Sequence, residues 1–213
     1  MWRRGPNRYR SLEEFKREEI APHMKAGWCL DDLEAEATYR PQANKLGLWL
    51  FFLSETFLFS AIISARFVTS GTDTPEHLNQ PLALAITVVL LLSSISAYLS
   101  ENAIANDDRS GFMLYTRITI LLGLLFTAGV VLEWREALAD FPAATIYGSA
   151  FFALIGLHAF HVVTGIMALG VVLNLGGKGH FGSEDYWPVE GTVKYWHLVD
   201  LMWVVIYPSL YLF

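Results

Sequence analysis

Five apolar stretches of membrane-crossing length divide this sequence: 46–67, 82–99, 112–132, 147–175 and 194–213. A helix rises about 1.5 Å per residue, so about 20 apolar residues cross a hydrocarbon core. The connections between them carry turn and breaker residues, as in "TSGTDTPEHLNQP", "FPAAT" and "LGGKGHFGSEDYWP". Strict alternation over short segments, the mark of a membrane β-barrel, is absent. The expected fold is all-α: a polytopic bundle of five transmembrane helices over residues 46–213. The first 45 residues form a charged N-terminal segment.

Composition narrows the function classes. Hydrophobic residues make up 54% of the chain, and the net charge of −6 offers no basic footprint for nucleic acid. One cysteine, Cys29, forms neither an internal disulfide nor a two-thiolate metal site. The polar, charged N-terminus shows no cleavable signal peptide. Within it, "SLEEFKREEI" reads either as a short amphipathic docking arm or as a solvated tail; its mixed charges favour the tail.

Lysine and arginine set the orientation. Twelve fall before the first stretch and in the second and fourth connections; one, Arg135, falls on the other side. The N-terminus is expected in the cytoplasm and the C-terminus outside, in a bacterial inner membrane.

Ionisable residues within the stretches are costly in hydrocarbon and mark pathways or pairs. Glu55 lies near the middle of the first, and His158 and His161 near the middle of the fourth. Arg117, His197 and Asp200 share a cytoplasmic-side depth. Arg66 and Glu133 share the outer ends. Depth alone pairs Glu55 with His158 or His161, Arg117 with Asp200, and Arg66 with Glu133. His158 and His161 lie three residues apart on one helical face that Gly165 and Ala168 continue, which suits a close helix contact.

Three roles compete for these groups. Metal binding needs more converging ligands than the six histidines provide, since His23, His77 and His180 fall in the tail or connections. A proton or substrate path suits the chemistry of carboxylate and imidazole. Fastening between helices and to lipid head groups satisfies the same polar atoms and is favoured on physical grounds. The tryptophans Trp49, Trp134, Trp187, Trp196 and Trp203 read mostly as interfacial belts.

The stretches "LGLWLFFLSETFLF", "TVVLLLSSISA", "LGLLFTAGVVLEW", "YGSAFFALIGLHAFHVVTG" and "YWHLVDLMWVVIYPSLYL" resemble, in order, successive helices of the subunit III family of haem–copper oxidases, in its shorter five-helix form. The resemblance implies that Glu55 is the family's buried glutamate and that His158 and His161 are the paired histidines of the penultimate helix. Glu133 and Trp134 match the acidic–aromatic pair, and Tyr195, Trp196, His197 and Asp200 the final-helix motif. Val130 and Ile86-Thr87 stand where the family often has Gln and Asn-Thr.

The resemblance further implies an accessory, non-redox subunit of a terminal oxidase, without haem or copper of its own. It would pack against catalytic subunit I beside subunit II, hold phospholipid in a cleft, and support proton uptake and durability. Haem and copper would reside in the partner subunits. Two other readings stand beside it: the related accessory protein of bacterial nitric oxide reductases, and a free-standing channel or transporter using Glu55 and the histidines.

Overall fold

The computed structural model describes residues 30–71, 79–140, 143–183 and 185–212, with side chains from Ala43 onward. The segment "SLEEFKREEI", His23, Cys29 and His77 lie outside the described residues. Among the described residues five helices follow one another: α1 (Leu30–Ser70), α2 (Gln80–Ala105), α3 (Arg109–Asp140), α4 (Ile146–Gly177) and α5 (Trp187–Tyr211). The chain divides into two compact units, Met1–Leu53 and Ser54–Phe213. In the first, α1 begins at Leu30 and runs unbroken through residue 45, where the sequence suggests a boundary. The second unit holds the rest of α1 and the other four helices.

Local chemistry sets the helix starts. Asn79 caps α2 by accepting from the Leu82 amide at 3.1 Å, with Pro81 in the first turn. Thr145 caps α4 by accepting from the Gly148 amide at 3.0 Å. Pro188 opens α5.

Among the described residues four helical stretches are long and apolar enough to cross a membrane: Ala43–Ser70, Gln80–Ala105, Arg109–Ala139 and Ile146–Gly177. The fifth expected span, α5, has the length at 25 residues. Glu190, Lys194, His197, Asp200 and several Tyr and Trp residues lower its apolar character, so it does not join the four.

Helix α2 packs on α3 and α5, and α4 packs on the same two, closing a four-helix ring. Each contributes a stripe at alternating spacings of three and four residues. On α3 it comprises Phe112, Thr116, Thr119, Gly123, Phe126, Val130, Glu133 and Ala137. Such spacing keeps one face of a helix on its neighbours. Outside the stripes Leu121, Leu125, Phe160 and Val171 are exposed, as lipid- or partner-facing residues are.

The second and fourth connections interlock. Asp107, whose backbone is left-handed at φ 58°, accepts from the Ser183 amide at 2.8 Å and the Ser183 hydroxyl at 2.7 Å. Arg109 donates to the carbonyl of Gly177. Both donors of Ser183 favour the charged form of Asp107 and hold its carboxyl below the usual carboxylate range.

Candidate functional site

The polar groups of the second unit fall into four clusters. The first joins α1 to α4. His161 Nδ1 lies 2.8 Å from the Leu157 carbonyl, and Nε2 lies 3.0 Å from Glu55 Oε2. A carbonyl only accepts, so Nδ1 carries hydrogen. The contact between Nε2 and Oε2 therefore contains one proton, on the carboxyl or on the ring. Phe59 and Phe160 pack their rings 5.3 and 5.8 Å from the imidazole. Behind it, Tyr195 Oη meets Thr164 Oγ1 at 2.8 Å and donates to the His161 carbonyl at 3.1 Å, tying α5 to the same turn.

His158 belongs to a different contact. Its Nε2 donates to the carbonyl of Val199 on α5 at 3.1 Å. The ring sits among Phe126 at 5.6 Å and Trp203 at 4.8 Å, with 0% exposure, and Nδ1 has no partner. Of the two histidines that depth matches to Glu55, His161 alone meets it. Three residues of helix turn the chain by about 300°, leaving the side chains about 60° apart. That angle is enough for two neighbouring helices to take one each.

The second cluster fixes the ring of four. Trp196 on α5 is fully buried and donates from Nε1 to Ser93 Oγ on α2 at 3.0 Å. A Cβ at Gly123 on α3 would stand 2.7 Å from its ring, and one at Gly165 on α4 would stand 2.8 Å away. The two glycines leave the slot that the indole fills. Gly165 thus receives α5 and not α1. Trp203, also fully buried, donates to Thr87 Oγ1 at 2.8 Å. Ser96 meets Thr119 at 2.7 Å and Ser100 meets Thr116 at 2.6 Å, all four buried between α2 and α3. At the positions that depart from the family pattern, Ile86 fills the space above Gly129, Thr87 takes the Trp203 indole, and Val130 is buried.

The third cluster corrects the Arg117–Asp200 expectation. Arg117 is exposed, one position past the inward Thr116 and therefore turned about 100° away. Asp200 points inward at 4% exposure, and neither carboxyl oxygen has a hydrogen-bond partner. His197, half-buried, pairs its Nδ1 with Ser94 Oγ of α2 at 2.7 Å.

The fourth cluster lies at the Gly71–Tyr211 end. Glu133 accepts from the Tyr211 hydroxyl, not from Arg66. Arg66 is buried, donates to the Gly71 carbonyl, and lies 5.4 Å from the centroid of Tyr147 and 4.9 Å from that of Phe67. Tyr147 donates to the Leu210 carbonyl at 2.6 Å. Gln80 donates to the Tyr211 carbonyl at 3.0 Å. Three helices are thereby held onto the last turn of α5.

Sequence reading did not single out Ser93, Ser94, Ser96, Ser100, Thr116 or Thr119, and it placed Trp196 and Trp203 near span ends. The signal lay in their spacing. Ser93, Ser96 and Ser100 repeat at three and four residues, as do Thr116, Thr119 and Gly123.

An apolar helical scaffold with polar joints inside, and with outward faces left apolar, defines an integral membrane subunit. A profile of the family described as "Cytochrome c oxidase subunit III" matches residues 28–213. The chain is 34% identical over 199 residues to cytochrome c oxidase subunit 3 of Coturnix japonica, covering 84% of this chain and 76% of that protein. It is 34% identical over 201 residues to that of Allomyces macrogynus, covering 84% and 72%. To that of Corynebacterium diphtheriae it is 32% identical over 186 residues, covering 82% and 90%. The chain belongs to the cytochrome c oxidase subunit III family. It is a membrane protein and an accessory part of an oxidase complex with other subunits.

Proposed function

We propose that the chain is the non-redox subunit of a proton-pumping haem–copper oxidase, packed against catalytic subunit I and accompanied by subunit II. Five spans cross a bacterial inner membrane, α5 being the last, with the N-terminus in the cytoplasm as the lysine and arginine distribution requires. Haem and copper reside in the partner subunits. In support, His158 and His161 point to different helices, and each spends a ring nitrogen on a backbone carbonyl.

The work of the subunit is mechanical and protective: it holds subunit I, binds phospholipid, and sustains proton uptake over many turnovers. The observation that carries this reading is the Glu55–His161 joint. It ties α1 to α4 by a polar bond within apolar surroundings, where an unpaired group is costly. Arg117, exposed on α3, suits a lipid phosphate through its planar fork.

The test is to isolate the complex through a tag on this chain, identify its subunits and record its visible spectrum. Haem–copper bands with subunits I and II are expected. Haem with non-haem iron would assign the chain to a nitric oxide reductase. Ion flux from the chain alone in liposomes would make it a channel.

A further inference from the structure

Asp200 is a carboxyl group buried inside the ring of four helices with neither oxygen bonded. A carboxylate in that position is expensive unless a cation or several donors meet it. The groups facing it are few. Its own helix supplies His197, one turn back. From α2 comes Ser94, beside Asp200 and bonded to His197 Nδ1 at 2.7 Å. From α4 comes His158, whose Nε2 is taken by the Val199 carbonyl. A charged cluster, Glu101 with Glu190 and Lys194, lies further along α2 and α5, and Lys194 is engaged by Glu190. Among the described residues no Lys or Arg forms an ion pair with Asp200.

We propose that Asp200, Ser94 and His197 form an intramembrane proton-binding site, in which Asp200 is held as a neutral carboxylic acid and exchanges its proton through Ser94 and His197. With His197 hydrogen-bearing at Nε2, the Ser94 hydroxyl donates to Nδ1. A small reorientation of the carboxyl onto Ser94 closes the relay. The Asp200 O–H bond then breaks as a new O–H bond forms on Ser94. The original Ser94 O–H bond breaks as an N–H bond forms on Nδ1. The products are a carboxylate and an imidazolium, and the reverse transfer restores the start. His197 is half-buried, so it links the sealed carboxyl to the surface of the bundle. The site stands on these contacts and does not depend on which complex the subunit serves.

Infrared difference spectroscopy of the intact complex, wild type minus Asp200→Asn, reads the site directly. A carbonyl stretch of a protonated carboxylic acid, shifting in D2O, is expected. Because Asn matches a neutral acid in shape, the variant should keep the subunit through detergent washing as wild type does. In His197→Phe and Ser94→Ala the band should remain while its deuterium exchange slows about tenfold or more. Carboxylate stretches in place of the acid band, above all if they respond to exchanging sodium for potassium, would overturn the proposal in favour of an ion site. Unchanged exchange in both relay variants would overturn the route. If Asp200→Asn does not assemble, a neutral acid at this position is refuted.

Discussion

His158 and His161 sit three residues apart on one helix, yet they work in regions of opposite character. His158 lies inside the ring of α2–α5, sealed by Phe126 and Trp203, with its hydrogen bond going to backbone. Around it, indoles fill glycine slots and hydroxyls pair in rows, so each helix is held by several neighbours. His161 faces the residues of α1 beyond Ser54 and is joined to them by one side-chain bond to Glu55 and the Phe59 ring. The ring draws its stability from shape and area. The α1 joint draws its specificity from polar contacts, Glu55 to His161 and Arg66 over the Tyr147 ring. Identical residue types on one helix thus divide between a core and a fastening.

The comparison breaks most visibly at the core. Trp196→Ala removes a fully buried indole and its bond to Ser93, a change that typically costs about 3–5 kcal/mol. The expected outcome is loss of the subunit from the membrane fraction, measured by immunoblot. Gly165→Ala tests the slot from the other side. Its Cβ would stand 2.8 Å from an indole that Gly123 already confines opposite, so the ring has no free direction in which to yield. Overpacking of this kind costs about 1–3 kcal/mol and should lower the thermal midpoint of subunit release. Gly170→Ala, which meets nothing within 4 Å, is the control and should leave the midpoint unchanged.

The joint should respond more gently and with a different signature. Glu55→Ala leaves His161 Nε2 without its partner, at a cost of about 1–3 kcal/mol, and should loosen the subunit in detergent washing. Glu55→Gln keeps a donor for Nε2 and should be milder. The double variant Glu55→Ala with His161→Leu should lose less than the two single losses combined, since the second change removes a bond already broken.

The smallest effect belongs to the connections. Asp107 has its carboxyl held below the usual range by the Ser183 hydroxyl and amide. A depressed folded-state value contributes stability above the unfolded value of about 3.9 and loses it as pH falls through the folded one. Amide exchange at Ser183 should therefore quicken below about pH 4. In Asp107→Asn, which still tolerates the left-handed backbone, that acid-dependent step should vanish.

The helices and the depth of their polar residues were legible in the sequence, because hydrocarbon admits few alternatives to long apolar runs. The bond between Glu55 and His161 was legible as one of two depth matches. Rotation about the helix axis was not. Arg117 and Asp200 share a depth but face opposite ways, and Glu133 takes the Tyr211 hydroxyl while Arg66 donates to the Gly71 carbonyl and lies over the Tyr147 ring. The serine and threonine rows escaped notice because Ser93, Ser96, Thr116 and Thr119 also bond to carbonyls of their own helix, so residue type alone does not announce a neighbour. The apolarity of α5 is diluted by the very groups, Asp200 and the buried indoles, that its position inside the ring requires.

The central claim is that His161 fastens and does not carry electrons or substrate. It is tested by comparing two quantities in an assembled His161→Leu complex: the initial rate of oxygen reduction, and the activity lost per turnover. An initial rate within about twofold of wild type is expected, since loss of a fastening about 1 kcal/mol in strength leaves the chemical step in the partner subunits intact. A clearly greater loss per turnover is expected with it. An initial rate abolished in a complex that retains every subunit would contradict the account and place His161 in the reaction itself.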